Sequence, residues 1–246
     1  MNPNPFAEVA DLTIPTAPWR LSGTVVGALL NHAADWEALG AAADAPPYKG
    51  RAKAPVLHVR PRNTLAGSGA MVAVPAGVEA LEVGATLGLV IGRTACRVGA
   101  SDALGCIAGY VLAADLRVPH GGPQEHYRPA VRHRARDGFC PIGPRVVPAA
   151  DVPAPDAVVI DVAVDGAVAQ RAGTGNRLRG AAALLADVSA FMTLHPGDVL
   201  LLGNAPGAPL VRAGSEVALS LPGIGAAAGA SSGTLRFKLV AEEAAA

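Results

Sequence analysis

Aromatic residues make up only 4% of this 246-residue chain, so its core has to be assembled from valine, leucine, isoleucine and alanine. Cysteine is scarce too: Cys96, Cys106 and Cys140 are odd in number, far apart and without a Cys-x-x-Cys pair. That excludes a disulfide scaffold and zinc-like spacing, and reads as reduced, buried thiols in a cytoplasmic protein. An excess of either charge is missing, since Lys plus Arg and Asp plus Glu each number 20. The balance excludes the global field that draws proteins to nucleic acid or to an anionic membrane, and leaves any anion site to be local. No stretch supplies the ~18 uninterrupted apolar residues of a membrane helix. The N-terminus, MNPNPFAEVADLTIP, carries prolines and acids where a signal peptide has basic residues and an apolar core. Gly69, Gly92 and Gly203 lack the flanking residues of a phosphate loop and read as turn glycines.

What the chain does have is a string of short apolar runs punctuated by glycine and proline. Its length suits one main domain, because β-rich folds often run past 200 residues as one unit. Residues 1 to about 20 are broken by proline and read as an extended arm. Leu21–Leu30 is strand-like and leads through Asn31-His32 into AADWEALGAAA, whose spacing predicts a helix closed by Gly40. Ala54–Val59 predicts a strand running into the polar turn Arg60-Pro61-Arg62-Asn63-Thr64, and MVAVPAG predicts an edge strand. Leu81–Gly92 and Ile107–Leu116 predict two longer apolar strands, with Asp115 at the end of the second. Ser101 is placed to cap a short helix over Asp102–Gly105. Val158–Val164 and Ala167–Gln170 flank Asp165-Gly166, a tight hairpin signal. Asn176 is placed to cap a helix over Arg177–Thr193, which Pro196-Gly197-Asp198 ends before the strand VLLLGN. Many short strands, two real helices and no regular strand–helix alternation predict a β-rich α+β fold. Residues 1–50 read as an arm with a small strand–helix cap, and 51–242 as the main domain.

One segment departs from the neutral background. Between Arg117 and Asp137 lie Arg117, Arg128, Arg132, Arg134 and Arg136 with His120, His126 and His133, against Glu125 and Asp137 alone. Guanidinium forks suit planar carboxylates, so this is either a polycarboxylate pocket or a solvated or interface loop.

Five stretches in order, KAPVLHVRPRNTLAGSGAMVAVP, GLVIGRTACRV, IAGYVLAADL, RARDGFCPIGP and FMTLHPGDVLLLG, together resemble the successive signatures of the fumarylacetoacetate hydrolase superfamily over residues 53–203. The Arg-Pro-Arg-Asn-Thr turn, the Gly-Ala-Thr strand, Tyr127-Arg128-Pro129 and Arg136–Gly143 are most similar to the N-terminal half of its two-part members of 4-hydroxyphenylacetate (homoprotocatechuate) degradation. Those decarboxylate 5-oxopent-3-ene-1,2,5-tricarboxylate and isomerise the resulting hydroxydiene-dioate. The resemblance implies a mixed β-sandwich roll with a few short helices, oligomeric and cytoplasmic, acting on a small polycarboxylate 2-oxo acid.

The resemblance also implies a divalent metal, which accepts electrons as a Lewis acid when a 2-oxo acid is decarboxylated or its double bond is moved. Its ligands are a Glu-x-Glu pair on one strand face and an aspartate on the neighbouring strand. Aligned on Val90-Ile91-Gly92, the glutamate positions fall on Gly84 and Thr86, while the aspartate falls on Asp115. Glu82 lies on the same strand face as position 84 but about 7 Å from it, a poor substitute. Asp115 is then either a surviving metal ligand or a strand-end carboxylate paired with Arg117 or Arg134.

The expectation is that this chain carries no cofactor of its own and works with a related Mg²⁺- or Mn²⁺-bearing subunit, or by self-association. Family lysines are replaced by Arg60 and Arg134, which hold carboxylates but transfer no proton at neutral pH. The candidate substrate-binding residues are Arg60, Arg62, Asn63, Tyr127, Arg128, Arg134 and Asp137. His32 and Asp35 are the candidate proton-transfer groups, with a structural hydrogen-bonding role as the competing reading for His32. A scaffold or dicarboxylate-binding paralogue without chemistry is the alternative for the whole chain.

Overall fold

The structure, a computed structural model, describes residues 23–120, 131–224 and 233–242. Its centre is an antiparallel pair of long strands, β5 (Leu81–Ile91) and β6 (Ile107–Arg117). Apart from Glu82 and Ala108 every residue of the pair is buried, which is why both strands read as almost unbroken apolar runs. β2 (Val56–Arg60), β1 (Val25–Leu29) and β10 (Val199–Leu201) extend the sheet beyond β5, and β7 (Cys140–Pro148) and β3 (Leu65–Ala66) extend it beyond β6. β11 (Leu210–Val211) pairs with the start of β5. A second sheet has the order β4 (Ala70–Val74), β13 (Leu235–Ala241), β12 (Glu216–Ser220), β8 (Val159–Val164), β9 (Ala167–Gly173).

The two faces of the central pair are buried in different ways. Leu87 and Leu89 of β5 and Leu112 and Leu116 of β6 meet Val162, Val217, Leu219, Phe237 and Leu239 of the second sheet in one cluster. The alternate residues Val90, Val111 and Ala113 pack against Val25, Leu65, Cys140, Ile142, Val199 and Leu201, all from the large sheet itself. The large sheet therefore rolls over its own concave face. Gly88 permits the tight closure: a Cβ there would come within 2.8 Å of Val199 and 2.9 Å of Val111. The product is the β-rich α+β sandwich roll expected from the sequence.

Local predictions hold where local chemistry decides. Asp165 and Gly166 both take positive φ in the two-residue turn between β8 and β9, as a type I′ hairpin requires. α1 (Ala33–Leu39) closes at Gly40, φ 50°, and a 3-10 turn follows. Three expectations shift. α2 (Ala100–Ala103) is capped by Gly99, and Ser101 lies within it, bonded to the Asp102 carboxylate at 3.2 Å. The long helix, α4 (Ala181–Ser189), starts four residues later than Arg177. Asn176 does not cap it, because Asn176 sits at φ 55° with its carbonyl accepting from Ala33 N. The capping carboxylate is that of Asp156, 2.8 Å from Ala181 N. β1, assigned by sequence to the small N-terminal cap, lies between β2 and β10 in the large sheet. Residue 50 is therefore no break in that sheet, and the arm before it lies outside the described residues. Among the described residues no helix is long and apolar enough to cross a membrane.

Candidate active-site cleft

At the open end of the roll the concave face turns from apolar to charged. Side-chain alternation carries β6 from Val111 and Ala113 to Asp115 and Arg117, and β5 from Gly88 and Thr86 to Gly84 and Glu82. The ladder sets Gly84 opposite Asp115 and Glu82 opposite Arg117. β2 brings His58 and Arg60 to the same face by pairing them with Gly27 and Val25 of β1.

Asp115, only 2% exposed, is held from several directions. The Arg60 guanidinium pairs with its Oδ1. Arg134, from α3 (Val131–Arg134), donates through Nη1 to both oxygens at 3.3 and 3.1 Å. Asn204 Nδ2 donates to Oδ2 at 3.0 Å. Arg60 also donates to the carbonyls of Arg134 and, at 3.0 Å, of Leu116. Burial lowers both arginines to about 10, so both remain cations at neutral pH. His58 Nε2 lies 3.8 Å from Asp115, but burial, reinforced by Arg60 and Arg134, holds its pKa down to about 2. It is a neutral imidazole, and that contact is not an ion pair.

A cavity of about 430 Å³ opens beside this cluster, lined by Glu82, Arg117, Arg134 and Asn204 on one side and by Asn31 and Asp35 on the other. Arg117 is engaged by Glu82. Asp35 is pushed above the ordinary carboxylate range mainly by burial, against the opposing pull of the His32 N–H and of Arg177 and Arg117.

The expected site residues are distributed unevenly over this geometry. Arg134 and Asp35 line the cavity, while Asp115 and Arg60 do not: they are buried behind it, with Asp115 bonded to the lining residues Arg134 and Asn204. His32 is the N-cap of α1: its Nδ1 accepts from Ala34 N at 3.2 Å, and the Asp35 carboxylate accepts from His32 N at 3.4 Å. That is a reciprocal capping box. Arg62, Asn63 and Asp137 belong to a surface turn, where Asn63 donates to Asp137 Oδ1 at 2.7 Å and to the Ala135 carbonyl at 3.1 Å. They do not line the cavity. Tyr127 and Arg128 lie outside the described residues. His58 went unread in the sequence although alternation reveals it, since it precedes Arg60 by two on one strand; Arg117, named in the basic segment and as a possible partner of Asp115, lines the cavity but pairs with Glu82. That Asn204 would reach Asp115 carried no local signal, since the contact spans 89 residues.

The donor set does not fit a hard divalent cation. Such an ion wants several oxygen ligands, whereas Asp115 already accepts from two guanidiniums and an amide, and Glu82 is committed to Arg117. Among the described residues there is no cluster of three His, Cys, Asp or Glu side chains suited to a metal. A side chain at position 84 would displace the Asn204 amide from Asp115, because a Cβ there would fall 2.1 Å from Asn204 Nδ2. Thr86 is fully buried.

The profile described as Fumarylacetoacetate (FAA) hydrolase C-terminal matches residues 24–230. The chain is 38% identical over 197 residues to the 4-hydroxyphenylacetate degradation bifunctional isomerase/decarboxylase of Escherichia coli, covering 80% of this chain and 44% of the relative. It thus spans less than half the length of that relative. Among solved structures, 5-carboxymethyl-2-hydroxymuconate delta-isomerase from Mycobacterium smegmatis is similar at 30% identity and TM-score 0.71, covering 93% of this chain and 82% of that one. The 2-hydroxyhepta-2,4-diene-1,7-dioate isomerase of Mycobacterium marinum follows at 28% and 0.70, covering 90% and 76%. By these matches, and by a roll whose concave face carries the charged cleft, the chain belongs to the fumarylacetoacetate hydrolase family.

Proposed function

We propose that this chain is the N-terminal-type subunit of a cytoplasmic 5-oxopent-3-ene-1,2,5-tricarboxylate decarboxylase and 2-hydroxyhepta-2,4-diene-1,7-dioate isomerase of 4-hydroxyphenylacetate catabolism. It acts beside a related subunit that carries the Mg²⁺ or Mn²⁺. The observation that carries this reading is the clamp of Arg60, Arg134 and Asn204 on Asp115. Where a metal-bearing member needs free carboxylate oxygens, this chain has spent them on cations of its own. The similarity to the bifunctional isomerase/decarboxylase supports the pathway, and the two isomerase structures support a dioate-like substrate.

The cleft retains the parts for moving a proton without a metal. Arg134 meets the 1-carboxylate and the 2-oxygen of the hydroxydiene-dioate. Asp35 takes the proton of the 2-hydroxyl group, the electron pair left on that oxygen becomes the 2-oxo group as the diene electrons shift toward C5, and the proton is delivered to C5, so that a 2-oxo-3-ene-dioate forms and atoms and charge balance. Burial brings the Asp35 pKa closer to working pH, which favours a group that must both take and give a proton. The capping bond of Asp35 to His32 N favours a second reading, in which the cleft binds a dicarboxylate and performs no chemistry.

Purified chain, assayed alone and mixed with a metal-bearing family member, separates these readings. Decarboxylation only in the mixture, together with metal-independent isomerisation lost in Asp35→Asn, is the expected result. Decarboxylase activity with stoichiometric bound metal in the isolated chain overturns the subunit reading. Dicarboxylate binding without turnover in any mixture leaves only the scaffold reading.

A further inference from the structure

The charged cleft does not stop at Glu82. A second cavity, of about 580 Å³, abuts it and shares Pro119 and Leu210 with it. Val78, Val118, Val164 and Val211 make its wall apolar, while Glu79 and Arg212 stand at its rim. Leu210 lies opposite Glu82, which lies opposite Arg117. Alternate residues of a strand share a face, so Asp115, Arg117, Glu82, Leu210 and Arg212, one residue past β11, stand on one side of the sheet. Exposure rises along this row, from 2% at the Asp115 side chain through 11% at Arg117 to 71% at Arg212. The groove is closed at Asp115 and open at Arg212.

The geometry points to Arg212 as the residue that recognises the distal carboxylate of a dicarboxylic substrate. This rests on the reading above, that the first carboxylate sits at Arg134. Two strand spacings and four residues of rise put the Cα atoms of Asp115 and Arg212 about 17 Å apart. The Arg134 fork sits on the Asp115 carboxylate, and the long Arg212 side chain can reach back along the groove, so an extended seven-carbon diacid, about 8 Å between its carboxyl carbons, fits between the two guanidiniums. Its methylene or diene middle then lies along Pro119, Leu210 and Val118. In the free protein Arg212 pairs with Glu79. Both are exposed, and an exposed pair of this kind yields readily to a ligand carboxylate. Glu79 therefore acts as an internal competitor for the distal site.

Calorimetric titration of the isolated full chain with 2-oxoheptanedioate and with 2-oxoheptanoate, equal in length but lacking the second carboxylate, tests this. The wild type is expected to prefer the diacid by about 10-fold, a typical return for one charge-assisted contact. Arg212→Gln should bring the ratio to about 1 while leaving 2-oxoheptanoate unchanged, and Glu79→Gln should raise it. Arg236→Gln removes another exposed arginine, paired with Glu216 on the second sheet, and should leave the ratio alone. Equal affinity for the two acids in the wild type, or a ratio untouched by Arg212→Gln, overturns the assignment of Arg212 while the first carboxylate site stands. If neither acid binds, or if Arg134→Leu leaves both affinities intact, the underlying reading falls and takes this one with it.

Discussion

Replacing Asp115 by asparagine tests the clamp directly, because the two accounts of this residue predict opposite signs. A carboxylate awaiting a divalent cation sits among like charges, and its neutralisation relieves the metal-free protein. A carboxylate clamped by guanidiniums is their counter-charge. Asp115→Asn keeps the size and one acceptor but leaves Arg60, with a side chain 0% exposed, and Arg134, at 8%, without a negative partner. Uncompensated buried charge costs about 3–5 kcal/mol, which for a chain of this length is a fall in Tm of roughly 6–20 °C. The measurement is thermal unfolding of wild type and variant at pH 7 with excess chelator, so that no metal contributes. Combining Asp115→Asn with Arg134→Gln should cost less than the sum of the two changes by at least about 1 kcal/mol, since the residues share one network. A variant as stable as the wild type, or more so, refutes the clamp and returns Asp115 to the role of an unfilled ligand.

Three further outcomes are expected. Gly84→Ala should cost about 1–3 kcal/mol by forcing Asn204 off Asp115, and Asn204→Gly in the same chain should recover part of the loss in urea unfolding. The folded pKa of His58, about 2, lies far below its unfolded value of 6.5. Its contribution is complete above pH 6.5 and is lost as pH falls toward 2, at about 1.4 kcal/mol per pH unit. His58→Gln should remove that part of the slope between pH 6.5 and 5, and an unchanged slope contradicts the neutral assignment. The Asp35 pKa is raised above 3.8, so ionising Asp35 opposes folding once pH rises through the folded value. Asp35→Asn should therefore be more stable than wild type at pH 7, with the gain closing below pH 3.8; equal stability at both pH values speaks against burial as the dominant influence on Asp35.

Much of this molecule was legible in its residue order, wherever the deciding interactions are short in range. The apolar runs of β5 and β6, the Asp165-Gly166 hairpin and the Gly40 stop follow from period-two burial and from turn chemistry within a few residues. The order of the family signatures, the loss of carboxylates at positions 84 and 86, and the survival of Asp115 were visible too. Which arginine would meet Asp115 was not. Residue order offered Arg117 or Arg134; the roll delivers Arg134 together with Arg60 and gives Arg117 to Glu82. His32 and Asp35 were both candidate proton-transfer groups, with a structural role open for His32; α1 makes His32 its cap and sets Asp35 in the cavity lining. Asp156 as the cap of α4 and Asn204 over Gly84 were equally hidden. Strand periodicity says which face a side chain takes and nothing about what that face meets. The meeting of residues 60, 115, 134 and 204 is set by how far one sheet curls over itself, a property of the packed chain as a whole.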